Sequence, residues 1–337
     1  MATNTTYLNN IDRNYTITSN PGYNMFGFFN YTNRTTHNIN STAYIPENFN
    51  VYTATARQWT YTFANRRDLI TVPTYNMINA INMVNTFFSC YNLMSAPNIP
   101  DSVTDMAYTF YDCHNLTSAP NIPDNVTNMA GTFSSCYNLT SAPNIPDSVT
   151  NMAYTFFYCS KLTSAPNIPN SVTDIRGTFS HCHNLTSAPN IPDSVTNMAS
   201  TFYGCNKLTS APNIPDSVTN MANTFYNCYN LTSAPNIPDI VTNMANTFFS
   251  CSKLTLAPNI PNSVTNMANT FGYCSNLTGS FYISSNNISN ASNCFYYHNN
   301  SIALNVYVHA GTKTYNTFNS YLRGIDNSTL NVHLKTF

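Results

Sequence analysis

Cysteine is the residue of this chain whose type and spacing could support disulfide or metal chemistry. Nine of the ten cysteines, from Cys90 to Cys274, recur every 23 residues, and Cys294 follows after 20 more. In equivalent positions of stacked repeats the Cα–Cβ bonds run parallel, so neighbouring thiols do not point toward each other as a disulfide requires. The sequence also lacks the Cys-x-x-Cys pair of many zinc sites. We therefore expect free, buried thiols that pack as small apolar side chains.

Histidines next to two of these cysteines are the other candidates for metal binding. His181 and His183 flank Cys182, and His114 follows Cys113. Because each histidine neighbours a core position, we predict that its ring points outward and lacks a second set of metal ligands. Motifs for a nucleophile elbow, a zinc protease, a phosphate-binding loop or paired catalytic carboxylates do not occur. The sequence therefore predicts no catalytic residue, no metal site and no cofactor.

These residues belong to a tandem repeat, whose elements must position them. Leucines from Leu93 to Leu277 are 23 residues apart, and eight copies fill residues 93–276. A period of this size indicates coils that bury their apolar sides only by stacking on their neighbours. The sequence therefore predicts a solenoid, a class of protein that mostly binds partners through an extended surface.

One part of each copy has the spacing of a short helix. The apolar positions of one copy are Leu116, Ile122, Val126, Met129, Phe133 and Cys136. The last three have the i, i+4, i+7 spacing of one helix face, and Asn128 precedes them as an N-cap. The pattern predicts a helix of about two turns over Met129–Cys136. Three residues would lie on its exposed side, namely Gly131, Ser134 and Ser135.

A proline-rich segment precedes the predicted helix. Pro120 and Pro123 exclude a helix there, and any strand is limited to two or three residues around Asn121–Ile122. A second extended piece at Val126–Thr127 is expected to pair with neighbouring coils. Between the prolines stands an unbroken column of Asn98, Asn121, Asn144, Asn167, Asn190, Asn213, Asn236 and Asn259. A stacked amide ladder or recent duplication would each explain this column.

The chain divides into four parts by its similarity to this repeat. Residues 1–44 are interpreted as an arm or docking segment, residues 45–92 as degenerate N-terminal capping repeats, residues 93–276 as the eight copies, and residues 277–337 as the last partial repeat with a C-terminal cap. The cap is predicted to be β-α-β, with strands at 301–309 and 329–336 and a helix at 312–322.

Positions that differ among the copies cluster in one part of the repeat, which we call the variable stripe. They are the second residue after the core methionine, the two residues after the core phenylalanine, and the one or two after the core cysteine. The stripe is rich in Tyr, His, Ser and Asn, as adaptable recognition surfaces are. Neutral drift on an exposed face would also produce such variation. The candidate binding residues are Tyr108, Tyr111, His114, Tyr137, Tyr154, Tyr158, His181, His183, Tyr203, Tyr226 and Tyr229.

Charge and composition exclude several classes of partner. Charged residues make up 7% of the chain, the formal net charge is -1, and no cluster of Lys or Arg occurs. Binding to nucleic acid or to an anionic membrane surface is therefore not expected. Residues 1–24 show no secretory signal, and no stretch is long and apolar enough to span a membrane.

The pattern Val126-Thr-Asn-Met-x-x-x-Phe-x-x-Cys136-x-x-Leu139, repeated over about residues 59–300, resembles the BspA-like leucine-rich repeat surface proteins. The resemblance implies an α/β solenoid of leucine-rich-repeat type, in which each 23-residue coil has short extended segments and a short helix. This chain departs from the family in its proline-rich unit and in having no visible export signal. The family has no binding residues that all members share, so the resemblance assigns none to this chain.

Adhesion is the function that the resemblance implies. The protein would be a non-enzymatic adhesion or receptor-binding protein on the surface of a virion or a cell. Its partner would be a protein or glycan of a host or neighbouring cell, bound through the variable stripe, without nucleic acid or membrane insertion. The alternative is a structural spacer or decoration protein of a phage virion. Residues 1–44 would then attach the protein to the virion. Formation of a homo-oligomer through the same residues is a further alternative.

Overall fold

The computed structural model describes residues 59–61, 63–67, 69–72, 80–298, 301, 303–323 and 331–336. The chain divides into two compact units, one ending at Leu162 and the other beginning at Thr163, and each is described by itself. The predicted arm at residues 1–44 and the first part of the predicted capping repeats, residues 45–58, lie outside the described residues.

Coils stack in parallel within each unit through backbone hydrogen bonds. In the first unit, the N–H groups of Met129, Gly131 and Phe133 donate to carbonyl groups one coil further on, at 2.8–2.9 Å. In the second unit, the N–H of Met221 donates in the same way to the carbonyl of Asn243 at 2.9 Å. These bonds recur at the repeat period, so each coil satisfies the backbone of its neighbour.

The predicted helix at Met129–Cys136 is wrong. The segment is a series of turns in which the Thr132 N–H donates to the Met129 carbonyl at 3.1 Å, while alternate residues donate to the next coil. Gly131 and Ser135 have φ angles of 60° and 59°, which a right-handed helix does not allow. The predicted exposed side is also wrong, because Gly131, Ser134 and Ser135 are buried.

Asparagine and threonine side chains hold each series of turns in place. Asn128 begins the turns, and its Oδ1 accepts a hydrogen bond from the Ala130 N–H at 3.1 Å. Thr132 is fully buried, and its hydroxyl lies 2.8 Å from the Met129 carbonyl oxygen and 2.9 Å from that of Met106, one coil earlier. Asn128 therefore acts as a cap, but of a turn rather than of a helix.

The predicted core columns are buried in both units. The core phenylalanine rings stack from coil to coil, for example Phe110 on Phe133 with centroids 5.7 Å apart. All ten cysteines are free and buried, which confirms the prediction of packed thiols. The Cys136 thiol donates to the Phe110 carbonyl at 3.1 Å, one coil earlier. Burial raises the pKa of the Cys136 and Cys274 thiols, in the case of Cys274 to about 12.

The proline-rich segment differs from its prediction in one respect and agrees in another. No strand forms at Asn121–Ile122, and the isolated parallel bridge in this part of the coil joins Ser118 to Ser95. The pairing predicted at Val126–Thr127 is confirmed, because the Thr127 N–H donates to the Thr104 carbonyl of the preceding coil at 2.9 Å. Proline fixes φ and removes donors, which leaves room for pairing only on either side of it.

An amide ladder forms, but in a different column from the one considered in the sequence. The column at Asn121 is exposed along its length. Asn138 instead donates its side-chain N–H to Oδ1 of Asn115 at 3.2 Å, and Asn115 donates to Oδ1 of Asn92 at 3.2 Å. Recent duplication therefore stays the open explanation for the column at Asn121.

Three parallel strands and one helix follow the repeats of the second unit. The elements are β1 (Gly279–Ile283), β2 (Leu304–Val308), α1 (Lys313–Arg323) and β3 (Val332–Thr336), and the strand order is β1-β2-β3. The β-α-β order predicted for the cap is present, and β1 adds a strand that was not predicted. With 11 residues, α1 is too short to cross a membrane, and no other helix among the described residues could do so.

Side chains of α1 form hydrogen bonds with the last coil. The Phe295 N–H donates to the Tyr321 hydroxyl at 3.3 Å. The Ile288 N–H donates to Oγ1 of Thr314 at 3.0 Å, and the Thr317 hydroxyl donates to the Ile288 carbonyl at 2.9 Å. For Phe295, the Tyr321 hydroxyl takes the place of a backbone carbonyl of the next coil, such as the Cys294 carbonyl that accepts from the Phe271 N–H.

Candidate functional site

The variable stripe reaches the surface, but its members differ in exposure. Of the candidate binding residues, four tyrosines are the most exposed, with Tyr108 at 40%, Tyr137 at 37%, Tyr154 at 43% and Tyr229 at 42%. The other candidates are half-buried, namely Tyr111, His114, Tyr158, His181, His183, Tyr203 and Tyr226. The difference arises because some of these rings stack on rings of the adjacent coils.

In the first unit an aromatic ladder runs from coil to coil through the position after the core cysteine. Tyr91 and His114 stack with centroids 4.5 Å apart and planes 3° apart, and Tyr137 continues the row at 4.6 Å with a tilt of 44°. The Arg67 guanidinium lies 4.5 Å from the centroid of Tyr91, in a cation–π contact. We call these three rings the first ladder. The facing sides of these rings cover one another, whereas Tyr137, the last ring of the row, is 37% exposed.

A second ladder occupies the position after the core phenylalanine in the second unit. Tyr203 and Tyr226 stack at 4.5 Å with planes 2° apart, and Tyr226 and Phe249 stack at 4.7 Å with planes 14° apart. Burial, and then the neighbouring Tyr203, raise the pKa of the Tyr226 phenol. Tyr226 therefore keeps its proton at neutral pH and can donate a hydrogen bond.

The titratable groups of the stripe mainly bond with one another. Asp112 accepts a hydrogen bond from the Ser89 hydroxyl at 3.1 Å, and its other oxygen lies 2.5 Å from Nε2 of His114. Burial, and then His183, lower the pKa of His181. Among the described residues, no group of three or more His, Cys, Asp or Glu side chains is arranged to hold a metal ion. The hydrogen bond between Ser89 and Asp112 links two adjacent coils.

Large and small residues in neighbouring coils fit together. The Tyr108 ring occupies the space above Gly131, where an added Cβ would lie 2.4 Å from ring atoms. Two further pairs share this arrangement, namely His181 over Gly204 and Phe249 over Gly272, with closest approaches of 3.0 and 2.9 Å. Packing thus couples the residue types at these positions between neighbouring coils.

Two exposed tyrosines have a backbone conformation that their residue type disfavours. Tyr108 and Tyr154 have φ angles of 54° and 57°. A non-glycine residue in this region costs about 1–2 kcal/mol, although asparagine tolerates it better than most. The same position in other coils holds Tyr61, Asn85, Gly131, Gly177, Ser200, Asn223, Asn246, Asn269 and Asn293. Sequence reasoning missed this feature, and the prevalence of glycine and asparagine in the column is the signal that could have revealed it.

Stacked parallel coils with a buried leucine column define a protein of the leucine-rich repeat class. The repeated core residues, together with the turns that carry the stripe, allow the family within this class to be assigned. The chain belongs to the BspA-type leucine-rich repeat family, whose model matches residues 81–209 and 176–303 with six copies. No curated protein sequence matches the chain.

Three solved structures with leucine-rich repeats are similar to this chain. A leucine-rich repeat protein from Bacteroides ovatus has a TM-score of 0.59 and 22% identity, over 80% of this chain and 68% of that one. The T. pallidum leucine-rich repeat protein has a TM-score of 0.42 and 26% identity, over 48% and 76%. A leucine-rich cell surface protein from Faecalibacterium prausnitzii has a TM-score of 0.39 and 24% identity, over 69% and 76%. The first of these similarities supports the repeat fold.

Proposed function

We propose that this protein is a non-enzymatic adhesion protein that binds a protein or glycan on another cell through the variable stripe. One observation carries the proposal. The core columns keep their residue types from coil to coil, whereas variation is concentrated where aromatic rings reach the surface. Membership of the BspA-type family supports an adhesive role.

The physical properties of the stripe suit recognition. Tyrosine offers a large amphipathic contact area and loses little conformational entropy on binding. Stacking on neighbouring coils already fixes rings such as Tyr91 and Tyr203, so a partner would not have to order them. Since charged residues are only 7% of the chain, contacts would rely on rings, amides and hydroxyl groups.

Display on the surface of a cell or a virion is part of this proposal. A stripe that contacts another cell must face the outside of its carrier. Attachment through residues 1–44 stays a prediction, because the segment lies outside the described residues. The proposal includes no catalytic step.

Binding to intact cells tests the proposal. The full-length protein, fluorescently labelled, would be added to a panel of bacterial and animal cells and measured by flow cytometry. A stripe variant would carry Tyr137→Ser, Tyr154→Ser and Tyr229→Ser. These rings are among the most exposed of the stripe, so we expect the unfolding midpoint to change little and cell binding to fall at least tenfold.

The matched control removes equally exposed apolar side chains outside the stripe. Ile240→Ser, Leu256→Ser and Tyr282→Ser replace residues that are 46%, 61% and 48% exposed. This variant should bind cells as the wild type does. Cell binding that survives in the stripe variant, or that falls equally in the control, would show that the stripe is not the adhesive surface.

A further inference from the structure

Within the adhesive role proposed above, on which this inference rests, we propose that Tyr108 and Tyr154 form a two-ring platform for a neutral glycan. Each ring would pack against the C–H face of one sugar. The two positions are equivalent and stand two coils apart in the first unit. The ladders of the stripe would support the coils without contacting the sugar through their ring faces.

The rings of Tyr108 and Tyr154 are not part of a parallel stack. Among the described residues, Tyr108 meets Tyr111 at 6.0 Å with planes 63° apart, and Tyr154 meets Phe157 at 5.9 Å with planes 80° apart. Both rings are at least 40% exposed. An aromatic face is electron-rich, and the C–H groups of a sugar carry partial positive charge, so a ring face that is open to solvent can attract them. A ladder ring whose faces are both covered cannot do this.

Backbone strain distinguishes Tyr108 and Tyr154 from the glycine and asparagine residues of the same column, and Tyr61 in an earlier coil shares it with a φ angle of 55°. Tyr108 and Tyr154 have left-handed φ angles at a position where most other coils hold glycine, asparagine or serine. Drift at an unused site would favour the residues that fit this backbone, because they remove the strain. Strain that persists at an exposed aromatic residue is typical of a binding site.

The spacing of the two rings suits a ligand of several linked sugars. Core rings of the same three coils, Phe110, Phe133 and Phe156, are 5.7 Å apart at each step. The coil positions of Tyr108 and Tyr154 are therefore separated by two such steps. The intervening coil has Gly131 in this column, and the Tyr108 ring lies over it, so no other side chain of the column stands between the two rings.

Charge favours a neutral glycan over an acidic one and over a typical protein partner. Residues 80–154 contain no Lys or Arg, so this stretch offers no cation to a sialic acid or a sulfate. The nearby Asp112 carboxylate already bonds to Ser89 and His114. Protein interfaces are enriched in arginine, which this stretch lacks.

A glycan array tests the proposal. The full-length protein and a Tyr108→Asn, Tyr154→Asn variant would be applied to a printed array of neutral and sialylated oligosaccharides. Asparagine is the residue that Asn85 and Asn223 supply in the same column, so the variant should fold as the wild type does. We expect binding to neutral oligosaccharides by the wild type, and a loss of about tenfold or more in the variant, at an unfolding midpoint that is not lowered.

Tyr282→Asn provides the control, because Tyr282 is 48% exposed on β1 and outside the stripe. It should bind the array as the wild type does. An array without bound protein, a preference for sialylated sugars, or equal binding by the double variant would overturn the glycan proposal. If the array is silent but cells lose binding in the stripe variant described above, the partner is a protein and the adhesive role stands. If the stripe variant still binds cells, the adhesive role itself fails.

Discussion

Replacing Gly131 with alanine should destabilise the first unit through backbone strain and steric overlap. Gly131 has a φ angle of 60°, and alanine there should cost about 1–2 kcal/mol relative to glycine. The new Cβ would lie 2.4 Å from Cδ1 and Cε1 of Tyr108. Because Tyr108 is 40% exposed, its ring can move outward, and we expect this to add about 1 kcal/mol, the lower end for an overpacked site. Urea unfolding should show a total loss of about 2–3 kcal/mol.

A double-mutant cycle separates the two effects. In a Tyr108→Asn background the ring is absent, so Gly131→Ala should cost only the strain, about 1–2 kcal/mol. Gly311→Ala gives a comparison in the second unit, because Gly311 has a φ angle of 71° and no heavy atom within 4 Å of an added Cβ. An equal cost of Gly131→Ala in both backgrounds would refute the packing of Tyr108 over Gly131.

Three further predictions concern buried or half-buried groups. Thr132→Val keeps the shape of a fully buried side chain but removes its hydroxyl, so urea unfolding should show a loss of about 1–2 kcal/mol, and an unchanged stability would contradict the bonding described for it. Because all ten thiols are buried, a disulfide reagent at about pH 8 should label none of them in the folded protein, and fast labelling of any one would contradict the packing. Burial and His183 lower the pKa of His181, so the unfolded chain takes up this proton more readily and stability should fall as the pH drops through about 6.5. His181→Gln should weaken this fall between about pH 7.5 and about pH 5.5, and an unaltered pH dependence would argue against it.

The core could be predicted from the sequence because its constraint repeats in every copy. Each buried position accepts few side chains, so comparison of copies identifies the leucine, phenylalanine and cysteine columns without any structure. The parallel Cα–Cβ directions of Cys113 and Cys136 follow from stacking alone, and this was sufficient to exclude disulfides. The free, buried state of all ten cysteines confirms the reasoning.

The helix was predicted wrongly because its spacing has two structural explanations. Met129, Phe133 and Cys136 point to the core in a helix, and they also do so in a series of turns that alternates bonds within the coil and to the next one. Spacing within one copy does not distinguish these cases, since the bonding partner lies in another copy. The residues at left-handed positions do distinguish them, because Gly131 and its asparagine equivalents favour turns.

The stripe could be located from the sequence, but the roles of its residues could not. Whether a ring is covered depends on the residue one coil away. His114 lies between Tyr91 and Tyr137, whereas the column of Tyr154 has glycine in the preceding coil. A comparison of adjacent copies, rather than of all copies together, would have predicted part of this difference.

The hydroxyl groups of α1 that pair with the last coil also affect how the gene can evolve. Tyr321 and Thr314 accept hydrogen bonds from a single coil, so the end of the stack does not depend on how many coils precede it. Gain or loss of one whole 23-residue copy within a unit would leave the register of the other coils and the terminal contacts unchanged. Unequal recombination between copies could therefore lengthen or shorten the stripe by one row of side chains at a time, without the need for a new cap.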